Sequence, residues 1–456
     1  MTSRDPRKLS PTPLAAACAL GMAACSARTL PFSGQLLLHV NTDAPLPPAP
    51  GDVLAPTDPY PLFDRMRIEV FLPGQTQACN GCTRDFDIDR TLVSTGHASI
   101  GIVPDVGASG YTARVRMFRG AVTENGAPDP DSTLDTTVAL PAIASEGITE
   151  VTIVLQTDNV AQPQGQGTGV SPDPGPPRPG LVSTWPGAQV VPCNGAPAAN
   201  EACIPGGAYW MGNPLVQGLP YNAGDDTRVQ RLVAVSPFFT DTTEVTVAEY
   251  RAAKLSHLPL LNDPALNPTC TYTAAPNAKY EPLPLTCIVW QDARDYCQAM
   301  GGDLPSEAQF EYMASTLQSN LYVWGNDEPA CGDAVFARTT GQECPPSVLP
   351  SKPGSGVRDR LVLPGSSAPV VDLAGNVQEW ALDVYNAEGP PCWGVGVFQD
   401  PVCTTRSSDP STQGWQSIRG GAYVQVPAAM RAASRDASPA NGNLTITGFR
   451  CVHPAT

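Results

Sequence analysis

Cysteine is the residue type in this chain that can take part in the widest range of chemistry. The sequence has 14 cysteines among 456 residues, and a thiolate can serve as a nucleophile, a redox centre or a ligand for a soft metal ion. The segment Cys79-Asn80-Gly81-Cys82 has the C-x-x-C spacing of redox and zinc sites. It lacks a second C-x-x-C and a surrounding βαβ pattern, so the spacing favours a small disulfide-closed loop over either site.

The N-terminus has the layout of a secretory signal, residues 1–25. Basic residues precede a short apolar run from Leu14 to Ala24, which is too short to span a membrane. The sequence Met22-Ala23-Ala24-Cys25 is similar to a bacterial lipobox, which predicts lipidation of Cys25 and a bacterial outer-membrane or cell-envelope lipoprotein. The alternative is an ordinary signal peptide and a secreted or periplasmic protein.

Export also accounts for the remaining cysteines. Without Cys18 and Cys25, the 14 cysteines become 12, an even number that favours disulfides in an oxidising compartment. Five pairs are close neighbours, and Cys297 and Cys451 are left over, although sequence alone does not fix the connectivity. The neighbouring pairs are Cys79/Cys82, Cys193/Cys203, Cys270/Cys287, Cys331/Cys344 and Cys392/Cys403.

Charge excludes two classes of partner. The chain has 43 acidic and 27 basic residues, for a net charge of −16. An acidic surface disfavours nucleic acid and anionic lipid, so the only membrane contact expected is through the lipid anchor.

Composition and periodicity divide the chain into three parts. Residues 33–156 contain about five to seven short strands with period-two alternation, which predicts a small antiparallel, immunoglobulin-like β-sandwich that acts as a spacer or an adhesive module. Residues 157–185 are rich in Pro and Gly and have too little apolar surface to order themselves, which predicts a linker. Residues 190–456 form the second domain.

The second domain combines three predicted helices with short strands and long loops, an α+β pattern. A capping box at Thr246 predicts a helix to about Lys254. The periodicity of 290–300 predicts a second helix that stops at Gly301. Another capping box, at Ser306, predicts the third.

Eight segments in the second domain, in order, resemble motifs of the formylglycine-generating enzyme or sulfatase-modifying factor family. They are Gly206-Gly207-Ala208-Tyr209-Trp210-Met211-Gly212, Phe239-Thr240-Asp241-Thr242-Thr243-Glu244-Val245-Thr246, Pro284-Leu285-Thr286-Cys287-Ile288-Val289-Trp290-Gln291-Asp292-Ala293, Leu304-Pro305-Ser306-Glu307-Ala308-Gln309-Phe310-Glu311-Tyr312, Trp324-Gly325, Asp372-Leu373-Ala374-Gly375-Asn376-Val377-Gln378-Glu379-Trp380, Arg419-Gly420-Gly421-Ala422-Tyr423 and Gly448-Phe449-Arg450-Cys451. The resemblance implies a loop-rich, C-type-lectin-like fold and a disulfide between Cys297 and Cys451.

The resemblance also bears on chemistry. The family oxidises a cysteine in a sulfatase C-x-P-x-R motif to formylglycine, with a copper ion on two active-site cysteines. The matching positions are Gln425 and Met430, and neither side chain can form a thiolate. This predicts that the oxidase activity and the copper ion are absent. The histidine iron site of the related sulfoxide synthases is also disfavoured, because the four histidines are isolated.

Calcium is the metal that the resemblance leaves open. Carried over residue by residue, the family's structural calcium loop would use the carboxylates of Asp372 and Glu379 and the carbonyls of Gly375 and Val377. These hard oxygen donors suit Ca²⁺. The alternative is a pair of carboxylates that only caps a turn.

These observations predict an exported member of the family that lacks its catalysis and acts as a binding or structural module at the cell envelope. The alternatives are a divergent cysteine oxidase or another activity on the same scaffold. The expected partner is an envelope protein, a peptide or a glycan, bound by long insertions at 213–228, 345–369 and 388–415.

Overall fold

The structure is a computed structural model that describes residues 34–104, 108–124, 126–162, 171–212, 230–263, 265–387, 389–442 and 444–455. The predicted signal peptide, Cys25 and the insertion at 213–228 lie outside the described residues. None of the described helices has both the length and the apolar character needed to cross a bilayer.

The N-terminal region is built mainly from strands. Two four-stranded sheets, with strand orders β10-β9-β1-β4 and β3-β2-β5-β8, and a short β6-β7 hairpin account for its strands. The elements are β1 Gln35–Thr42, β2 Arg65–Phe71, β3 Thr83–Asp87, α1 Arg90–Ser94, β4 Ser99–Ile102, β5 Thr112–Phe118, β6 Thr123–Glu124, β7 Ala127–Pro128, β8 Leu134–Ala139, β9 Ile148–Leu155 and β10 Asp173–Pro174.

The structure differs from the sequence prediction for this region in two respects. Strand β1 runs parallel to β9 over its whole length, from Gln35 opposite Ile148 to Thr42 opposite Leu155, so this sheet is not purely antiparallel. A period of two identifies a strand but does not reveal the direction of its neighbour. The region also contains the short helix α1, which Asp89 caps by accepting bonds from two backbone N–H groups.

The C-terminal region is a mixture of small sheets, three helices and long loops. Its sheets have the orders β11-β14-β22, β12-β13-β18, β15-β16 and β20-β19-β17-β21. The elements are β11 Glu201–Ile204, β12 Gly207–Met211, β13 Arg231–Val235, β14 Phe238–Asp241, α2 Val247–Ala253, α3 Trp290–Ala299, α4 Glu307–Ala314, β15 Arg360–Leu361, β16 Val370–Val371, β17 Gln378–Val384, β18 Val397–Gln399, β19 Trp415–Arg419, β20 Asp436–Pro439, β21 Thr447–Gly448 and β22 Val452–Pro454.

The three helices predicted in this region are confirmed. Thr246 and Ser306 close complete capping boxes with Glu249 and Gln309, and each box satisfies two backbone groups that the first helical turn leaves free. The long helix α3 ends before Gly301, whose φ of +93° favours glycine.

The disulfides join the predicted pairs. Each of the 12 cysteines in the described part of the chain is bonded to its expected partner: the five neighbouring pairs that spacing suggested, and Cys297–Cys451, which the family resemblance implied. Cys297 on α3 bonds Cys451, with Cα atoms 5.4 Å apart across 154 residues of sequence. This bond ties the helix to the end of the chain.

The two regions share an apolar cluster. Trp210 on β12 is fully buried, and its indole N–H donates to the Leu62 carbonyl at 2.9 Å. The Phe63 ring packs edge-on against it at 5.8 Å, and the same cluster contains buried side chains of both N-terminal sheets and of β13.

The described part of the predicted linker also contacts the N-terminal sheet. Strand β10 pairs with β9, and Trp185 is buried with its indole N–H bonded to Asp158 at 2.8 Å. Residues 171–185 therefore gain their order from a neighbouring sheet, although their own composition is too polar to supply it.

Candidate functional site

The site of interest lies where β19 leaves the sheet and the chain turns through Gly420 and Gly421. Both glycines have positive φ, +89° and +70°. A Cβ at Gly420 would lie 3.0 Å from the Phe310 ring, and one at Gly421 would lie 2.8 Å from the Ala429 carbonyl. Glycine is therefore required at both positions, which explains the Arg-Gly-Gly sequence locally.

A cleft of about 390 Å³ opens beside this turn. Strands β17, β19 and β20 form part of its wall, and the turn that contains Gln425 and Ala429 forms another part. Its lining combines polar and apolar groups: Gln378, Tyr385, Thr412, Trp415, Ile418, Arg419, Gly420, Gly421, Gln425, Ala429, Ser434, Arg435, Asp436 and Ala437.

The two positions predicted to match the family's cysteines have different surroundings. Gln425 lines the cleft, and its backbone is fixed because its carbonyl accepts from the Ala337 N–H at 2.8 Å. Its side-chain Oε1 is buried without a hydrogen-bond partner among the described residues. Met430 is fully buried in an apolar cluster with Tyr322 and Phe336. Met430 is thus a core residue, whereas Gln425 lines the cleft and has a buried acceptor without a partner.

A buried network of charges lies beneath the cleft. Arg435 donates to both carboxylate oxygens of Glu307, at 2.6 and 2.8 Å, and both side chains are almost completely buried. One helical turn further along α4, Glu311 pairs with Arg419. The Gly212 N–H also donates to Glu311 at 2.6 Å. The two arginines that line the cleft are thereby held by acids from one helix.

The network shifts two ionisations in opposite directions. Burial opposes the ionisation of Glu307, but Arg435 and Arg419 outweigh it and lower the pKa of Glu307 to about 2. Burial, followed by the negative charge of Glu307, raises the pKa of Asp383 to about 7. Asp383 accepts from the backbone N–H groups of Glu307 and Cys403 at 2.8 and 2.6 Å, so it fixes the start of α4.

Sequence reasoning missed this network, although a signal was present. Glu307 and Glu311 are four residues apart in a helix that is buried on nearly every side. Acids at such positions require cations. Two of those cations, Arg419 and Arg435, come from a segment more than 100 residues later, and nothing in the local sequence identifies them as partners.

The predicted calcium ligands are found in a second buried cluster. Both oxygens of Glu379 accept from the guanidinium of Arg450, at 2.6 to 3.0 Å. Asp372 accepts from the Gly354 N–H at 2.6 Å through Oδ2, while its Oδ1 has no hydrogen-bond partner among the residues that the structure describes. Glu244 likewise has one carboxylate oxygen, Oε2, that is buried without a hydrogen-bond partner in the described part of the chain.

This placement does not suit the predicted ligand set. A carboxylate that already neutralises a guanidinium would bring a second cation against Arg450, and like charges repel strongly in a buried site. Burial raises the pKa of Glu244 well above its usual value, and the charges of Asp372 and Glu379 add to the effect. Arg450 and a retained proton can therefore balance the negative charge of these acids. The proposed function does not depend on calcium.

Comparison with known protein families identifies the class of protein to which the C-terminal region belongs. The family model described as "Sulfatase-modifying factor enzyme 1-like domain" matches residues 188–455, more than half of the chain. The chain belongs to this family, and its mixed, sheet-rich architecture with few helices agrees with that membership.

Individual relatives are distant. The chain is 27% identical over 175 residues to the formylglycine-generating enzyme of Mycobacterium tuberculosis, a match covering 37% of this chain and 56% of that protein. It is 25% identical over 296 residues to the enzyme of Streptomyces coelicolor, covering 55% and 88%. It is 28% identical over 116 residues to the protein of Bos taurus named "Inactive C-alpha-formylglycine-generating enzyme 2", covering 23% and 34%.

Among solved structures, PvdO from Pseudomonas aeruginosa is similar over 56% of this chain and 94% of its own, with a TM-score of 0.40 and 20% identity. CarF is similar over 56% of this chain and 97% of its own, with a TM-score of 0.32 and 16% identity.

Proposed function

We propose that this chain is a non-catalytic member of the family that binds a peptide or another polar ligand in the cleft at Gln425. The observation that carries the proposal is the state of the thiols. Every cysteine in the described ranges is half of a disulfide, while the positions that match the family's cysteines are Gln425 and Met430. A pair of thiolates for a copper ion is therefore not provided by these residues.

The cleft supports binding rather than simple loss of the site. A degenerate pocket filled by apolar side chains would favour a purely structural role, but this one is open and its wall carries polar as well as apolar groups. Its wall includes Thr412 and Trp415 from the long insertion at 388–415, which the sequence predicted as ligand-binding. Ligand-binding residues often lie on loops that a rigid core positions. A C-type-lectin-like arrangement of this core and location at the bacterial cell envelope, through lipidation of Cys25 or as a secreted protein, are parts of the same proposal.

The experiment screens purified protein against peptide and glycan arrays that include a C-x-P-x-R peptide. A hit is then compared with Gln425→Leu, in which an amide is replaced by an apolar group of similar size. We expect about a tenfold loss of affinity, because an unmade buried hydrogen bond costs about 1–3 kcal/mol. Gln75→Leu, at an exposed position of the N-terminal region, is the matched control and should bind like the wild type.

The rival function is that of an enzyme, because an open cleft also has room for a substrate. Incubation with copper and the C-x-P-x-R peptide distinguishes the two by mass spectrometry. Conversion of the peptide cysteine to an aldehyde would reject the non-catalytic proposal. Equal affinity of the wild type and Gln425→Leu for every hit would place the binding surface elsewhere.

A further inference from the structure

A second possible site lies at the N-terminal end of α3, remote in sequence from the cleft residues. His257, in the loop after α2, and Asp292 and Asp295, in the first two turns of α3, bring one ligand atom each within 4.8 Å of one another. The two aspartates are three residues apart and so share one helix face. The histidine comes from a different element, so the group is assembled by the fold.

The backbone around His257 is fixed by contacts outside the group. The Tyr250 hydroxyl donates to the His257 carbonyl at 3.1 Å. Three residues later, the Leu260 N–H donates to the carbonyl of Cys287, which is itself bonded to Cys270. The imidazole is thus attached to a loop segment whose backbone is hydrogen-bonded at His257 and at Leu260.

The separation of His257 and Asp292 is compatible both with an ion pair and with shared coordination of one metal ion. Nδ1 of His257 and Oδ1 of Asp292 are 3.3 Å apart, longer than the usual N–H···O bond of about 2.9 Å. Two ligand atoms held about 2.1 Å from one tetrahedral ion lie about 3.4 Å apart. The remaining contact is compatible with coordination: Asp295 accepts from the Gln291 side-chain amide at 2.7 Å through Oδ1.

The neighbouring cation does not occupy the group. Arg294 lies between the two aspartates in sequence, but its guanidinium donates to Asp303 at 2.9 to 3.2 Å and stacks on the Trp290 ring. Its positive charge is therefore directed to another acid.

We propose that His257, Asp292 and Asp295 bind a divalent transition-metal ion of the zinc type. One imidazole nitrogen and two carboxylate oxygens are ligands that Zn²⁺ accepts, and three protein ligands leave a coordination position for water. The histidine nitrogen disfavours Mg²⁺ and Ca²⁺, which prefer oxygen. The side chains of His257 and Asp292 are 66% and 18% exposed, so the ion has access from solvent.

The test is a titration of the full chain, without a histidine tag, with Zn²⁺ in the presence of excess Mg²⁺. Calorimetry should give one equivalent bound, and Co²⁺ should develop visible absorption bands. The variants His257→Ala and Asp295→Asn should each weaken Zn²⁺ binding at least tenfold. His97→Ala, at another exposed histidine, is the matched control and should bind like the wild type.

Two outcomes would overturn the proposal: no stoichiometric Zn²⁺ binding, or equal affinity in the wild type, His257→Ala and Asp295→Asn. Circular dichroism of each variant shows whether it is folded, and Asp295→Asn keeps the side-chain shape if His257→Ala does not fold. The result is independent of the cleft, because ligand binding at Gln425 uses none of these residues.

Discussion

Removing the guanidinium of Arg435 should destabilise the protein strongly while leaving its apolar contacts largely intact. Arg435 is the main partner of Glu307, and the two side chains are 2% and 0% exposed. In Arg435→Met the carboxylate would remain buried with Arg419 as its nearest cation, at 3.6 Å. Leaving one member of a buried pair without its partner costs about 3–5 kcal/mol. A typical domain is stable by only about 5–15 kcal/mol.

The pH dependence provides a specific signature. In the wild type the pKa of Glu307 is lowered to about 2, so its stabilising contribution is present above the unfolded pKa of about 4.3. That contribution is lost only as the pH falls toward 2, and it is constant between pH 7 and pH 5. In Arg435→Met, burial dominates and the pKa of Glu307 should rise above the unfolded value. The variant then takes up a proton on folding, so its stability should improve relative to the wild type as the pH falls to 5.

The assay is urea unfolding of the wild type, Arg435→Met, Glu307→Gln and the double variant at pH 7 and pH 5. The double variant should recover about 2–3 kcal/mol relative to the sum of the single variants, because both charges are then absent. Slopes with urea should be unchanged. A deficit below about 1 kcal/mol for Arg435→Met, equal at both pH values and without recovery in the double variant, would refute the buried-pair reasoning.

Two further predictions concern the stability of the framework. The double variant Cys297→Ala/Cys451→Ala should lose about 5 kcal/mol, because the bridge closes a loop of 154 residues; urea unfolding without reductant measures the loss, and a cost below about 2 kcal/mol would contradict the loop-closure estimate. Trp210→Phe should lose about 1–3 kcal/mol of stability, because the Leu62 carbonyl is left without its indole donor. Trp324→Phe removes an indole hydrogen bond at an exposed site and should cost less. Thermal unfolding of both variants measures the difference.

The sequence predicted the parts of the fold whose signals are local. Capping boxes at Thr246 and Ser306 predict where two helices begin, and the close spacing of most cysteines suggests their partners without fixing the connectivity. The motif order predicts the family, and the substitutions at Gln425 and Met430 are readable without coordinates.

Contacts between distant segments could not be predicted in this way. The parallel pairing of β1 with β9 depends on which strands meet after the chain has collapsed. The salt bridge between Glu307 and Arg435 crosses 128 residues, and the group at His257 unites a loop with a helix 35 residues later. Spacing rules recognise metal ligands on one element, so a histidine isolated in sequence gave no signal.

The distribution of disulfides has a consequence for how the protein is made. Five of the bridges join cysteines 3 to 17 residues apart. A chain that emerges N-terminus first can close each of these soon after its second cysteine appears, and in sequence order. Cys297 must wait for Cys451, 154 residues later, and until then its thiol is open to exchange with any of the later cysteines. The formation of this bridge therefore requires synthesis past Cys451, and chains interrupted before that residue carry a reactive thiol that a quality-control system can detect.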